Sequence, residues 1–430
     1  MQLTPKTNVT ALLAAASCAL LGTTVQADEN AEKWQFDTAI LYYGESDRVQ
    51  LVEGVFNAKK DFGDENIFNG KMVIDTLTGA SASGAVAQPG VQTFTRPSGN
   101  ASYTVSAGET PLDDTFRDTR VQLSGQWTQP LAENMRASTG LQVSKEYDYL
   151  SIVGNGSLAY DFNKKNTTLS AGISYALDTI DPVGGAPVDF TSMIIDRGQY
   201  ATDEAYRQDF DATRTSGSQD KDTIDLLLGV TQIINKRMLM QLNYSFSTSD
   251  GYHNDPYKVL SVVNQQGLTQ DILHESRPTE RSKHSVYLQS KYALDSGVVD
   301  VSYRFATDDW DINSHTLDTR FRYNLSETSY IQPHFRYYQQ TEADFYSPFL
   351  IEGAPLPEFA SADYRLGEMS AITLGLKYGM QLQNGHELAF RIEYYQQDSD
   401  NAGFDAPGAL ANLELYPSVK AVIAQVSYSF

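Results

Sequence analysis

The chain has 430 residues, of which 11% are aromatic, and tyrosine is the most frequent aromatic residue with 26 copies. Its 54 acidic residues outnumber its 32 basic residues and leave a net charge of −22, which argues against nucleic acid as a partner. The single cysteine, Cys18, excludes disulfides within the chain and any site built from several thiolate ligands.

The first 27 residues have the pattern of a secretory signal peptide. Lys6 gives a weakly positive start, a short apolar run follows at Ala11–Gly22, and Val25-Gln26-Ala27 offers a small-x-small cleavage site. We therefore expect residues 1–27 to carry the chain through the inner membrane and to be cleaved, and residues 28–430 to form one domain. Lipidation at Cys18 is a weaker alternative, because the residues before it fit a lipidation signal poorly.

The rest of the chain alternates apolar and polar residues with a period of two. In Met238–Thr248, for example, Met240, Leu242 and Tyr244 fall on one face, and the residues between them are polar. This alternation predicts β-strands, and no later apolar run reaches the length of about 18 residues that a membrane helix needs.

The connections between these strands are the more specific signal. Short turns, such as Asn163–Asn166, alternate with connections that include long polar stretches, such as Asp178–Asp222. Sixteen strands result, and we expect them to start near Trp34, Val49, Lys71, Thr115, Met135, Tyr149, Thr167, Thr223, Met238, Ser282, Val298, Asn313, Ser329, Met369, Glu387 and Pro417. The second strand is the weakest prediction because Glu53 interrupts either face, and counts of fourteen or eighteen stay open.

Short turns at one end and long loops at the other are typical of a bacterial outer-membrane barrel. We therefore predict an all-β fold, a single transmembrane antiparallel β-barrel of about 16 strands with short periplasmic turns and long extracellular loops. A soluble β-sandwich or solenoid is the alternative, but it does not explain the alternation of connection lengths.

The first long connection opens with a tract of small residues, Leu77–Ala85. No Gly-Lys-Ser/Thr sequence follows it, so it is not a phosphate-binding loop. Small residues would let this connection fold into the lumen as a constriction, and a flexible surface loop is the equal alternative.

If the apolar faces meet lipid, the opposite faces of the later strands carry charged residues into the lumen. The candidates for the lumen lining are Arg304, Arg320, Arg322, His334, Arg336, Lys377, Arg391, Asp300 and Glu393. A basic wall facing loop carboxylates would select and orient small polar or anionic solutes. The alternative interpretation is that these arginines pair with carboxylates and only maintain the shape of the barrel.

Catalytic and metal-binding patterns are weak, and we expect no enzyme, no cofactor and no metal site. His284 and Ser290 could share one face of a strand, but the Ser-Asn-Gly type motif of outer-membrane phospholipases is missing. The acidic tip Asp308–Asp311 with His315 is the nearest match to a barrel protease. Two groups of loop residues could ligate a cation without a recognised loop spacing. They are Asp250, His253, Asn254 and Asp255, and Asp178, Asp181, Asp189 and Asp196.

The sequence ends in an alternating run, Ile423–Phe430, whose apolar residues would face lipid. We expect this strand to pair with the first strand near Trp34 and so to remove the edges of the sheet. Tyr428 and the terminal aromatic Phe430 have the pattern of the signal by which the barrel-assembly machinery recognises its clients.

Two segments carry a resemblance to a known family. Ile74–Asn100 (IDTLTGASASGAVAQPGVQTFTRPSGN) and Gly108–Leu131 (GETPLDDTFRDTRVQLSGQWTQPL) resemble a family of proteobacterial outer-membrane proteins known as a domain of unknown function. The resemblance covers essentially the whole mature chain and implies an exported barrel. It also implies a link to envelope redox or metal-related export, because genes of this family often lie beside those of a thioredoxin-like protein and a flavin-transferring enzyme.

Two functional hypotheses follow. The first is a barrel of the Gram-negative outer membrane that passes a small polar or anionic solute through a charged lumen. The second is a barrel without transport that serves as a docking scaffold in an envelope redox or metal-related system, where a periplasmic protein is one possible partner. In both, the expected surroundings are outer-membrane lipid and lipopolysaccharide.

Overall fold

The structure is a computed structural model that describes residues 34–46, 48–194, 198, 200–399, 405–413, 415 and 418–430. The predicted signal peptide therefore lies outside the described residues, as do Asp196 and Pro417. None of the helices in the described ranges is long and apolar enough to cross a bilayer.

Strands account for most of the described chain. In chain order they are β1 (Trp34–Glu45), β2 (Val49–Asp61), β3 (Ile67–Ala82), β4 (Gln92–Thr95), β5 (Ser102–Val105), β6 (Leu112–Ala132), β7 (Met135–Lys145), β8 (Tyr149–Phe162), β9 (Thr167–Ile180), β10 (Gln219–Asn235), β11 (Met238–Gly251), β12 (Val259–Val263), β13 (Thr269–His274), β14 (Glu280–Leu294), β15 (Gly297–Asp308), β16 (Asn313–Asn324), β17 (Ser329–Gln340), β18 (Leu350–Ile351), β19 (Met369–Gln381), β20 (Glu387–Ser399) and β21 (Val419–Ser429). One α-helix, α1 (Asp203–Ala212), and one 3-10 helix, Gly408–Asn412, lie between strands.

Sixteen strands close into one antiparallel barrel, from which β4, β5, β12, β13 and β18 are excluded. Closure is made by β1 and β21, which pair from Asp37 opposite Ser429 to Glu45 opposite Ala421. Beyond this ladder, the Phe36 N–H donates to the Phe430 carbonyl at 2.7 Å, and the Phe430 N–H donates back at 2.8 Å. The predicted fold class, strand number and closing pair are confirmed.

Strand starts agree with the prediction within four residues, and the largest differences have local causes. β3 begins at Ile67 rather than Lys71, because Asn69 and Gly70 interrupt the apolar alternation without ending the ladder. β10 begins at Gln219 rather than Thr223, since strands continue above the lipid-facing segment where their outer residues become polar.

The two faces of the barrel differ in polarity as expected. Large apolar side chains on alternate positions are exposed on the outside, among them Ile40 and Ile392, which are 65% and 59% exposed. Such a band suits a lipid environment. The uncertain strand β2 is formed, and Glu53, which interrupted its pattern, reaches Arg120 on the inner face at 3.8 Å.

The two ends of the barrel also differ. At one end every connection has two to five residues, the longest being 62–66 and 382–386. At the other end five connections are long. We call the described residues of these connections the cap; they are 83–111, 181–194 with 198 and 200–218, 252–279, 341–368, and 405–413 with 415 and 418.

The cap is a packed body with cores of its own. β12 pairs with β13 and β18 in a three-stranded sheet, and β4 pairs with β5. Phe94 of the first long connection is fully buried in one cluster with Val259 and Ile272 of the third. From α1, the Tyr206 hydroxyl donates to the Gly99 carbonyl at 2.9 Å and so joins the second connection to the first.

These contacts correct the expectation for the first long connection. Leu77–Ala82 belongs to β3 rather than to a loop. The residues after it are neither a flexible surface loop nor a separate constriction, because Ala85 and Phe94 are buried against other connections of the cap. Sequence alone did not show this, since the partners lie more than 150 residues away.

The closing seam gives a first prediction. The ring of Phe430 lies 5.2 Å from Phe36, 5.3 Å from Tyr428 and 5.9 Å from His386. Replacing Phe430 by Ala removes these contacts, which stabilise the barrel by about 2 kcal/mol. We therefore expect the unfolding temperature, measured by the heat-modifiable gel shift of the barrel, to fall by several degrees. If Phe430 is also an assembly signal, the yield of inserted barrel will fall more than the stability does.

Phe62→Ala is the matched control, because its ring contacts Trp127 at a short turn away from the seam. An unchanged thermal transition in Phe430→Ala contradicts the contribution of Phe430 to the seam. An unchanged yield of inserted barrel contradicts its role as an assembly signal.

Candidate solute path: inner wall, cavity and cap

The nine candidate lumen residues lie on β15, β16, β17, β19 and β20, on the positions that alternate with the exposed apolar ones. They do not form one continuous basic surface, because many of them are paired. Arg391 lies 3.7 Å from Glu393, Lys377 lies 3.8 Å from Glu387, and Asp300 lies 3.5 Å from Lys291.

The centre of this wall is a histidine between two carboxylates. Nε2 of His334 lies 3.0 Å from Asp318 and its Nδ1 lies 2.9 Å from Glu393. An imidazole can donate from both nitrogens only as the imidazolium, so the geometry favours the charged ring. Gly375 of β19 pairs with His334 on one side and with Glu393 on the other, so it lies between them in the sheet. A Cβ at Gly375 would lie 2.7 Å from Glu393 Cγ. The glycine therefore makes room for the contact.

Below this group the arginines are more open. Arg320 reaches Asp318 at 3.4 Å with its side chain 47% exposed, and Arg322 lies over the Tyr330 ring at 3.6 Å. On the opposite wall Arg120 pairs with Asp75 at 2.6 Å, and Arg136 pairs with Asp161 at 3.1 Å. Much of the inner wall is thus internally neutralised, as the alternative interpretation of the arginines expected.

A cavity of about 330 Å³ lies between the cap and this wall. Its side is formed by inner residues of β10, β11 and β14 to β17, including Arg304, Arg336 and Tyr338. Its upper boundary is formed by cap residues, including Arg277 and Arg365. The cavity shows that the cap reaches the lumen rather than standing clear of the mouth.

Six charged side chains are buried together in the cap, and we call them the latch. They are Asp255, Lys258, Glu275, Arg277, Asp363 and Arg365. Arg277 binds Glu275 at 2.7 Å and Asp363 at 2.9 Å, while Arg365 binds Asp255 at 2.6 Å. Three positive and three negative groups balance one another. The latch therefore joins the third long connection to the fourth without leaving a net charge.

The ion pairs decide the protonation of the latch. Burial alone would raise the pKa of Asp363, but Arg365, Lys258 and Arg277 outweigh it and hold that pKa well below its ordinary value. The same balance, mainly with Arg365, lowers the pKa of Asp255. Burial raises the pKa of Glu275 and Arg277 offsets only part of this.

Further bonds fix the cap to the barrel. Lys258 donates to the Ala82 carbonyl at the end of β3, and the Tyr257 hydroxyl donates to Asp148 between β7 and β8. The side-chain amide of Gln340, the last residue of β17, donates to the Gly367 carbonyl at 2.9 Å. The cap is therefore held at several points around the rim.

Three of the loop acids that were expected to face the basic wall, or to bind a cation, have other partners. Asp255 belongs to the latch, Asp178 pairs with Lys221 at 3.3 Å, and Asp189 accepts from Asn254 and from Ser276. These three carboxylates are therefore compensated by other neighbours rather than by the arginines of the inner wall.

One acidic cluster was not predicted. Carboxylate oxygens of Asp118, Glu146 and Asp148 lie within 4.8 Å of one another at the rim. Burial, followed by the charge of Asp118, raises the pKa of Glu146 to about 8. A proton on Glu146 at neutral pH would reduce the repulsion between these carboxylates.

The enzyme candidates do not form catalytic groups. His284 and Ser290 lie on the same outer face, but six residues along a strand separate them by about 20 Å. His284 instead contacts the Tyr244 hydroxyl at 2.7 Å. Asp308 is bonded to Arg281 at 2.9 Å, and His315 contacts the Tyr303 hydroxyl on the lipid side.

Two buried histidines make the cap sensitive to acid. Burial lowers the pKa of His253 to about 4, and burial, followed by the charge of Arg214, lowers that of His274 to about 3. The ordinary pKa of histidine is about 6.5, so both imidazoles become protonated in an opened cap at pH values where they stay neutral in the closed cap. Stability is therefore lost as pH falls from about 6.5 towards 4, by up to roughly 3 kcal/mol per histidine.

We expect hydrogen exchange of residues 259–274, corrected for its intrinsic pH dependence, to accelerate between pH 6.5 and pH 4.5. Exchange of β9 serves as the internal reference. In the variant His253→Gln/His274→Gln the acceleration should shrink. Equal protection of the cap at both pH values in the unaltered protein contradicts this account.

The chain is similar to several solved structures at low sequence identity. The ferric enterobactin receptor PfeA of Pseudomonas aeruginosa (Q482A variant) has 7% identity and a TM-score of 0.43, covering 92% of this chain and 60% of the receptor. A bacterial polysaccharide outer membrane secretin has 8% identity and a TM-score of 0.42, covering 94% and 100%. The monoaromatic hydrocarbon channel CymD has 9% identity and a TM-score of 0.39, covering 95% and 92%.

These similarities concern the barrel architecture alone, and the chain spans about 60% of the length of the receptor. No curated protein sequence matches the chain. One family model matches residues 10–430, and its description is "Protein of unknown function (DUF3570)". The chain is an outer-membrane-type β-barrel, and it belongs to the DUF3570 family.

Proposed function

We propose that this barrel conducts small anionic solutes across the outer membrane and that the cap closes its outer mouth in the present state. The observation that carries the proposal is the joint position of the latch and the cavity. A charge-balanced, buried group holds the cap over a space whose wall contains arginines without carboxylate partners.

The lower half of the barrel supports conduction. Sixteen-stranded barrels are wide enough to leave an aqueous channel. Connections of two to five residues at that end are too short to cover such an opening. Exposed inner side chains such as Arg320 and Arg322 fit a water-filled lumen and favour anions over cations.

The latch supplies the means of closure. Removing one partner of a buried ion pair costs about 3–5 kcal/mol, because the remaining charge stays buried without compensation. Arg365 binds both Asp255 and Asp363, so its loss leaves Asp255 buried without an ion-pair partner and leaves Asp363 with Arg277 alone. The free energy that favours the closed cap over an open cap would then largely disappear.

Single-channel recording in planar bilayers tests this proposal. The unaltered protein should open rarely, and Arg365→Gln should raise the open probability about a hundredfold or more, since each 1.4 kcal/mol is a factor of ten. Arg322→Gln is the matched control, because Arg322 stacks on Tyr330 outside the cap. Absence of current in both proteins, together with absent solute uptake in proteoliposomes, contradicts conduction and favours the docking scaffold.

If current is seen, its ion preference tests the role of the wall. The triple variant Arg320→Gln/Arg322→Gln/Arg336→Gln should shift the reversal potential in a KCl gradient towards lower anion preference. An unchanged reversal potential would refute the proposed role of these arginines.

We also propose that residues 1–27 are removed during export. The pattern at Val25-Gln26-Ala27 supports a mature N-terminus at Asp28. Mass spectrometry of the protein isolated from outer membranes should therefore give a chain that begins at Asp28, and retention of Met1 contradicts cleavage.

A further inference from the structure

The cavity under the cap has an unbalanced charge. Its upper boundary is neutral because the latch compensates itself, and on its side Arg281 is bonded to Asp308 and Lys221 to Asp178. Three cationic side chains of the cavity lining are left over. They are Lys283, Arg304 and Arg336.

None of these three has a carboxylate oxygen within 4.0 Å in the described part of the chain. Arg304 donates from Nε to the Ser285 hydroxyl at 2.9 Å, which leaves the rest of its guanidinium free for other acceptors. The carboxylates that act on Lys283 are Asp308 and Asp225. Asp308 is bonded to Arg281, and Asp225 accepts from the Ser174 hydroxyl.

The register explains why Arg336 is also left over. Arg336 lies opposite Asp318 in the pair β16–β17. The contacting oxygen of Asp318 is already shared by His334 at 3.0 Å and Arg320 at 3.4 Å. Arg336 lines the cavity, and no carboxylate oxygen of Asp318 comes within 4.0 Å of its guanidinium.

Arg304 and Arg336 are placed to act together. Arg304 pairs with Thr316 of β16, and Thr316 pairs in turn with Tyr338 of β17. Tyr338 lies two residues along β17 from Arg336. Strand spacing and rise then put the two Cα atoms about 12 Å apart. Two arginine side chains at this separation can hold one small molecule from both sides.

Like charges without partners are unfavourable in a partly enclosed cavity, and ionisable groups at membrane depth usually have a function. We propose that Lys283, Arg304 and Arg336 form a binding site for a small organic dianion with carboxylate or phosphate groups. This inference rests on the proposed function, because the dianion is the solute that would be conducted.

The chemistry of the lining supports this ligand class. Guanidinium groups bind carboxylate and phosphate oxygens in pairs of parallel hydrogen bonds, so Arg304 and Arg336 can each bind an anionic group of one dianion. A volume of about 330 Å³ suits a small molecule rather than a chain. Tyr338 also lines the cavity and offers a ring surface to the body of the ligand.

Isothermal titration calorimetry on the detergent-solubilised full chain tests the site, with the dianions succinate and glycerol 3-phosphate as separate probes. We expect saturable binding of at least one probe, and the probe that binds assigns the carboxylate or the phosphate class. Arg304→Gln, Arg336→Gln and Lys283→Gln should each weaken the affinity at least tenfold. Arg237→Gln, which alters an exposed arginine at a short turn outside the cavity, should leave it within twofold.

A matched thermal transition and gel shift establish that each variant is folded. Absence of saturable binding for both probes overturns the site. Unchanged affinity in Arg304→Gln and Arg336→Gln, or an equal loss in Arg237→Gln, overturns it as well. Conductance of the same preparations separates the two proposals. A current without saturable binding contradicts only the proposed binding site. Saturable binding without a current contradicts only the proposed conduction.

Discussion

An open β-sheet cannot remain in a bilayer, because its edge strands would carry unpaired N–H and C=O groups into hydrocarbon. The pairing of β1 with β21 meets this constraint, and the other features of the molecule depend on it. Closure divides each strand into a lipid face and a lumen face, so apolar side chains such as Leu141 and Ile392 lie outside. It also creates two mouths, of which only one has connections long enough to cover it.

The enclosed space determines how charge is arranged. Around the lower wall, arginines and carboxylates compensate each other across neighbouring strands, as in the pair of Arg120 with Asp75. Within the cap, compensation is more complete because the groups are fully buried, and Arg277 and Arg365 bind carboxylates from different connections. Between these two balanced regions lies the cavity with its surplus of positive charge. The proposed selectivity depends on this surplus rather than on the total number of arginines.

The sequence predicted the barrel because a period of two is a local property. The alternation in Met238–Thr248 and the short turn after Phe162 can be recognised without knowing any partner. The cap could not be predicted in the same way, since its long polar connections have no period. The pairs Arg365–Asp255 and Arg277–Asp363 join residues 110 and 86 positions apart. Residue type alone likewise placed Arg304 and Arg391 in one group, although only Arg391 has a carboxylate partner.

The central claim is that the lumen is closed by the cap and open at the other end. A cysteine at Ser302 tests it, because Ser302 lies on the inner wall level with Asp318, just below the cavity. We predict slow labelling of Ser302→Cys by a membrane-impermeant maleimide on intact cells and fast labelling once the outer membrane is permeabilised, with the chain lacking this substitution as reference. Fast labelling on intact cells would contradict a closed cap.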